Sequence, residues 1–318
     1  MDVTVLVLDG VFDSGLSALL DVLRTANELR GELSNPPHWQ VRTVGFDGPV
    51  RTAAGHLVPV EPAALTDRTE LLVLPGVSGR TPEQLVEFAA ARATAPARAL
   101  LREARERGLP LASACSGTFL LAESGVLDGG RATTSWWLAP AFRQRYPAVE
   151  LDDTRMVVDS DGVTTAGAAF GHVDLALALV RMRSPALAEL VARYLVVDDR
   201  PSQASYAVPS VLARHDPTVA AFEAWVRARL AEPLNVPDAA RALGVSERTL
   251  QRAVRRTLGS SPVRFVQDVR LEQACHLLRT TDLSVEAVAH RVGYENGSTL
   301  RVLLRERRGL TAGALRGR

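Results

Sequence analysis

The stretch Val236-Pro237-Asp238-Ala239-Ala240-Arg241-Ala242-Leu243-Gly244-Val245-Ser246-Glu247-Arg248-Thr249-Leu250-Gln251-Arg252 divides into two short helices around one sharp turn. Ala239, Ala240 and Leu243 give the first helix a narrow apolar face, and Gly244 supplies the left-handed residue that ends it. Val245 plugs the turn. Ser246 is placed to cap the next helix, in which Leu250 and Val254 face inward. Glu247, Arg248, Gln251, Arg252 and Arg255 are left on the outer side. A helix-turn-helix has this spacing, and its second helix is the one shaped to enter a major groove. Ser246 and the residues nearest it are expected to reach base edges, and Arg252, Arg255 and Arg256 to reach phosphates.

The pattern returns in Ser284-Val285-Glu286-Ala287-Val288-Ala289-His290-Arg291-Val292-Gly293-Tyr294 and the residues that follow. Ser284 is placed as a cap and Gly293 as the turn. Leu300, Leu303 and Leu304 would pack inward, leaving Asn296, Ser298, Thr299, Arg301 and Arg305 to face DNA. A long helix predicted over 262–279 would hold the two recognition helices about one DNA turn apart. Further helices are read at 217–230, 236–242, 246–257, 284–291 and 297–307. Charge agrees. Residues 218–318 carry 17 arginines against 10 acids, a net +7, while the rest carries 20 against 26, a net −6, and the chain has no lysine. A basic part joined to an acidic part points to double-stranded DNA as partner of the former. Arginine suits that partner, because its planar fork pairs with phosphate and guanine.

The chain of 318 residues favours two domains, and 47% hydrophobic residues suffice for real cores. No apolar run approaches the roughly 18 residues of a membrane span. The N-terminus reads as a first strand rather than a signal peptide. Two cysteines, Cys115 and Cys275, lie far apart, so a disulfide framework is not expected and a cytoplasmic location is. No metal-ligand set and no cofactor are expected.

The stretches Gly244–Arg252, Leu258-Gly259-Ser260-Ser261-Pro262, Arg270-Leu271-Glu272-Gln273-Ala274 and Val288–Tyr294 resemble the AraC family of bacterial regulators over nearly all of 218–310. The resemblance implies sequence-specific duplex binding. Leu300 and Leu304 stand where that family usually carries Phe, and Thr311-Ala312 where Ser-Pro is common.

The first part alternates short apolar runs with helical patterns. Strands are read at Val3–Leu8, Trp39–Val44, Leu71–Leu74 and Pro110–Ala114, with a hairpin around Asp161-Gly162. Helices are read at Leu16–Leu29, Glu83–Arg107 (interrupted by Pro96), Thr118–Ser124 and His172–Arg183. This alternation predicts an α/β domain with a mainly parallel sheet. Ala114-Cys115-Ser116-Gly117 places a cysteine where a strand turns into a helix, at the sheet edge where α/β folds bind ligands. A thiol there is either an activated group near a helix N-terminus or a small buried apolar residue. Leu74-Pro75-Gly76-Val77-Ser78-Gly79 is a second strand-end loop whose glycine N–H is available in principle to the same pocket.

The stretch from Ala114 through Gly129, then Arg131-Ala132-Thr133-Thr134-Ser135-Trp136, and Thr164-Thr165-Ala166-Gly167 is similar to the PfpI-type, class I glutamine amidotransferase-like domain. That resemblance covers about 1–185 and implies a flavodoxin-like sheet with helices on both faces. Joined to an AraC-type domain, it is the arrangement of GlxA-type regulators. The resemblance matches the superfamily's nucleophile with Cys115. Relatives commonly read Thr-Thr-His-Trp where this chain has Ser135, and some place a glutamate where it has Gly15, with Asp13 the nearest acid. Serine is no general base near neutral pH. His172 opens an apolar helix and reads as a capping or packed residue. A thiol without base or acid is a poor hydrolytic nucleophile.

The expectation is therefore a sensor domain without catalysis over 1–185, a connecting helix and linker over 186–215, and a DNA-binding domain over 216–318. Asp13, Gly76, Val77, Cys115, Ser116, Arg131, Ser135 and Trp136 are the candidate pocket. The expected partners are DNA, a small-molecule effector, nitrogenous as the resemblance to this regulator type implies, and a second copy of the chain, with no membrane. The alternatives are a cysteine-dependent amidase or hydrolase carrying a DNA-binding domain, and a glyoxalase- or chaperone-like stress protein.

Overall fold

Leu71–Leu74 is apolar at every position and buried at every position, which a strand achieves only when both faces of its sheet are covered. The computed structural model describes residues 1–32, 37–78 and 81–316. Gly79 of the strand-end loop and the last two residues of the expected DNA-binding domain lie outside them. The chain divides into two units, Met1–Gln203 and Ala204–Arg318.

In the first unit, β1 (Asp2–Leu6), β2 (Gln40–Gly45), β3 (Glu61–Pro62), β4 (Leu71–Leu74), β5 (Leu111–Ala114), β6 (Val157–Ser160) and β7 (Val163–Ala166) form one sheet in the order β6-β7-β5-β4-β1-β2-β3. All neighbours run parallel except the β6–β7 hairpin. That hairpin turns on Asp161 and Gly162, both at positive φ, as the sequence predicts. Leu72 and Leu74 point into a core under α2 (Pro82–Ala90), α3 (Ala95–Glu106), α4 (Gly117–Glu123) and α5 (Ala139–Arg145). Leu71 and Val73 point into a second core under α1 (Asp13–Leu29), α6 (Gly171–Arg183) and α7 (Pro185–Tyr194). The expected helix over 83–107 is broken at residues 91–94, and Pro96 opens α3 rather than closing α2. Among the described residues no helix is long and apolar enough to cross a membrane.

The segment 198–209, Pro-containing and aperiodic, reads as a linker. Its first half is instead fastened to the first unit. Arg200 pairs with Asp174 and donates to Phe170 O, and both the Ser202 hydroxyl and the Gln203 N–H donate to Thr154 O. Composition misleads here because the segment is ordered by side-chain bonds to distant residues rather than by a periodic apolar face.

The second unit is all helical: α8 (Pro209–Ala213), α9 (Pro217–Arg227), α10 (Val236–Ala242), α11 (Glu247–Leu258), α12 (Pro262–Thr280), α13 (Val285–Arg291), α14 (Gly297–Arg308) and α15 (Ala312–Arg316). Side chains of Asp216, Asn235, Ser246, Ser261, Ser284 and Asn296 cap α9 to α14 in turn, each cap contributing about 1 kcal/mol. Helix α12 serves two cores. Phe265 and Val269 pack with α9, α10 and α11; Leu271, Ala274 and Leu278 pack with α13, α14 and α15. Leu300 and Leu304 are buried as their spacing predicts.

The two turn glycines are not equivalent. Both have positive φ, but a Cβ on Gly244 meets nothing within 4 Å, whereas one on Gly293 would lie 2.2 Å from Leu230 O and 2.5 Å from Arg270 Nη2. Gly244→Ala is expected to cost about 1 kcal/mol, the strain of a left-handed alanine. Gly293→Ala adds a backbone collision and is expected to cost clearly more, roughly 3 kcal/mol. Denaturant unfolding of the full chain compares them; equal losses would contradict the close approach.

Candidate functional site

Cys115 follows the last residue of β5 and adopts φ +57, the sharp strand-to-helix turn its position suggests. Its backbone is held at both ends: the N–H donates to Ala166 O at 2.8 Å, and its carbonyl accepts from the Thr134 hydroxyl at 2.7 Å. Its Sγ accepts from the Ser135 hydroxyl at 2.9 Å. Ser135 is fully buried. Burial pushes the Cys115 thiol up, against smaller opposing effects of the Ser135 and Ser116 bonds. Of the two sequence readings, an activated thiol and a buried small residue, the geometry matches the second.

Gly76 lies against this cysteine, a built Cβ standing 3.2 Å from Cys115 Cβ. Its N–H, however, is not free for a ligand, because it donates to His172 Nε2 at 3.0 Å. The other ring nitrogen, Nδ1, bonds Ala169 O at 2.7 Å. Accepting at Nε2 makes Nδ1 the protonated nitrogen. Burial lowers the His172 pKa to about 4, the Ala169 bond opposing it. Gly15 leaves the space for the ring: a Cβ there would lie 2.7 Å from His172 Cε1. The position matched to a glutamate in some relatives is thus filled by an imidazole from α6. Ser116 donates to Val77 O at 2.5 Å, which ties the two strand-end loops together.

Two expected pocket residues are committed elsewhere. Asp13 accepts from Ala54 N–H at 2.9 Å and bonds His56 Nδ1 at 3.0 Å, and the His56 bond is the main cause of its pKa being lowered to about 2. Arg131 is exposed and pairs with Glu150 and Asp152. Trp136 belongs to the cysteine's loop, where its N–H donates to Gln203 Oε1 at 3.1 Å. Thr134, His172 and Gln203 were outside the candidate set. The His172–Gly15 fit pairs a large residue with an absent side chain far away in sequence, and no local pattern signals it.

In the second unit the outward residues stand as their spacing predicts. Glu247, Arg248, Gln251, Arg252 and Arg255 on α11, and Ser298, Thr299, Arg301 and Arg305 on α14, are exposed. The caps themselves are partly used. Ser246 Oγ accepts from Thr249 N–H at 3.1 Å, and Asn296 Oδ1 accepts from Thr299 N–H at 2.9 Å and from its hydroxyl at 3.1 Å. Several arginines are engaged within the unit. Arg256 pairs with Asp216, Arg307 with Asp268, and Arg227 with Glu223 and Glu272. Arg270 donates to Gly293 O and Glu232 O, bracing the second turn. Arg248, Arg252, Arg255, Arg301 and Arg305 have no acidic partner among the described residues. Arg256, expected at a phosphate, is exposed and pairs with the Asp216 cap. Helix α12, at 19 residues, spans about 28 Å between the two helix pairs.

Residues 1–182 match the DJ-1/PfpI family, and residues 239–318 match a helix-turn-helix domain. The HTH-type transcriptional regulator CdhR of Pseudomonas aeruginosa is 29% identical over 302 residues, covering 92% of this chain and 84% of CdhR. The HTH-type transcriptional regulator GlxA of Rhizobium meliloti is 26% identical over 230 residues, covering 71% and 70%. The crystal structure of an AraC family transcriptional regulator from Pseudomonas putida has a TM-score of 0.50 at 22% identity, covering 61% of this chain and 98% of that one, a likeness of fold.

The buried imidazole gives a pH signature. Between its ordinary value of 6.5 and its folded value of about 4, the unfolded chain binds the His172 proton and the folded chain does not. This contribution is complete above pH 6.5 and is lost as the pH falls toward 4, up to roughly 3 kcal/mol. Imidazole NMR is expected to show His172 neutral at pH 5.5; a protonated ring at that pH would rule out the Gly76 bond.

Proposed function

The chain belongs to the DJ-1/PfpI family, and on that premise we propose that it is a DNA-binding transcription regulator of the AraC type whose first unit binds a small molecule without transforming it. The observation that carries the DNA-binding half is the cluster of unpaired arginines on α11 and α14. Here Arg248, Arg252 and Arg255 on α11 and Arg301 and Arg305 on α14 are exposed and carry no ion pair among the described residues, so the second helix of each helix-turn-helix presents a cluster of cations free to meet phosphate, while Arg227, Arg256 and Arg307 pair with carboxylates. Arg248, near the N-terminus of α11, is assigned to a base edge; Arg252, Arg255, Arg301 and Arg305 to phosphates or flanking bases.

The first unit supports sensing over hydrolysis for a chemical reason. Acyl transfer at a thiol needs a base to take its proton and donors to hold the oxyanion. Ser135 replaces the usual base, the burial-raised thiol stays protonated, and the nearby N–H of Gly76 is already bonded to His172. A neutral ligand displacing the Ser135–Cys115 contact fits this chemistry. Action on DNA implies a cytoplasmic location, and a homodimer would read two copies of the recognised sequence.

Selection of duplexes from a random pool by the full chain, followed by affinity measurement across salt, tests the reading. Arg248→Ala is expected to weaken binding to the enriched sequence by about 1–3 kcal/mol and to relax preference at one position. Arg255→Ala is expected to weaken all sequences alike and to lower the salt slope by about 1. Enrichment of no sequence would overturn the reading; a single recognised copy would remove the dimer from it.

A further inference from the structure

A buried amide side chain is costly unless its donors and acceptor are all used. Gln203, the last residue of the first unit, is fully buried and meets this condition. Its Nε2 donates to Thr134 O at 2.8 Å, Arg155 O at 3.1 Å and Thr133 Oγ1 at 3.2 Å, and its Oε1 accepts from the Trp136 N–H at 3.1 Å. Three of these partners lie in the loop 133–136, the loop whose Thr134 and Ser135 hydroxyls hold the Cys115 carbonyl and sulfur. Gly167 provides the room, since a Cβ there would lie 2.1 Å from Gln203 Nε2. Gln203 is thus built into the loop that holds Cys115.

The next residue starts the second unit and is also held. Ala204 O accepts from Arg308 Nη1 at 2.8 Å, and Ala207 O from the same nitrogen at 3.4 Å. Arg308 is the last residue of α14, the second recognition helix, and is buried. Its other terminal nitrogen donates to Asp268 O on α12 at 3.4 Å. Two consecutive residues therefore tie one to the cysteine's loop and the other to a helix assigned to DNA.

We propose that Gln203 and Arg308 together transmit ligand occupancy at the Cys115 loop to α14. A ligand that displaces Ser135 or Trp136 shifts the atoms to which Gln203 is bonded. Ala204–Tyr206 move with Gln203, and Arg308 carries that movement into the end of the recognition helix. This rests on the reading of the first unit as a sensor and names the residues through which it acts. Coupling between two sites is reciprocal, so duplex binding must also be felt in the loop.

Reciprocity allows a test without the natural ligand. The probe is a duplex selected by the full chain itself. The readout is amide exchange of Thr133 and Leu138, whose N–H groups bond Thr165 Oγ1 and Ser135 O. Saturating duplex is expected to change these rates about fivefold or more in the wild-type chain, and about twofold or less in Gln203→Ala, which still binds duplex. Arg308→Gln breaks the connection from the other side and is expected to give the same loss, so the test stands even where Gln203→Ala fails to fold. Unchanged exchange in the duplex-bound wild-type chain, or an undiminished change in the variants, overturns the proposal. Failure of the wild-type chain to bind any duplex overturns instead the reading as a regulator.

Discussion

The hydrogen bond from the Gly76 N–H to His172 Nε2 fastens the strand-end loop beside Cys115 to α6. It exists only while the imidazole is neutral, because a protonated ring donates from both nitrogens and accepts at neither. Burial secures that state, and the missing side chain of Gly15 gives the ring its space. One bond thereby engages both the Gly76 N–H and a ring nitrogen of His172. The Ser135 hydroxyl bonds the sulfur but, unlike a histidine, does not take its proton at neutral pH. A site resembling an amidotransferase elbow is left with its polar groups satisfied by one another. A ligand entering such a site would have to exchange hydrogen bonds with it.

In this DNA-binding regulator the second unit distributes charge on a different principle. Its ion pairs lie where helices meet: Arg256 on the Asp216 cap, Arg307 on Asp268, Arg227 on Glu272. Arginine that fixes the fold is spent on carboxylates and carbonyls. The exposed arginines of α11 and α14 have no carboxylate partner among the described residues and would meet phosphate without that competition. The helix pairs are held to each other by α12 and by Arg270, which bridges Glu232 O and Gly293 O. A long helix with a core at each end keeps the two recognition helices at a fixed separation, which sequence-specific reading along one face of a duplex requires.

Much of this was legible in the sequence because it rests on local rules. Serine and asparagine caps, glycine turns and apolar spacing gave α10 to α14 nearly residue by residue, and Asp161-Gly162 gave the hairpin. The strand-to-helix turn at Cys115 was legible for the same reason. Partnerships between distant residues were not. Asp13 and Arg131 are the right residue types near the right motifs, but His56 and Asp152 claim them, and nothing local announces it. The Gly15–His172 fit depends on a cavity that exists only once α1 and α6 pack together. The segment ending at Gln203 has the composition of a linker, yet a single amide with all its groups engaged anchors it.

The state of the Cys115 thiol gives the most direct test of whether the elbow is closed to catalysis. Thiolate absorbance near 240 nm, recorded against pH for the wild-type chain and for Cys115→Ser, isolates its titration from that of Cys275. The difference is expected to appear only above the ordinary thiol range of about 8.5, because burial disfavours the charged sulfur. A thiolate signal already present at pH 7 and absent from Cys115→Ser would contradict a silent cysteine.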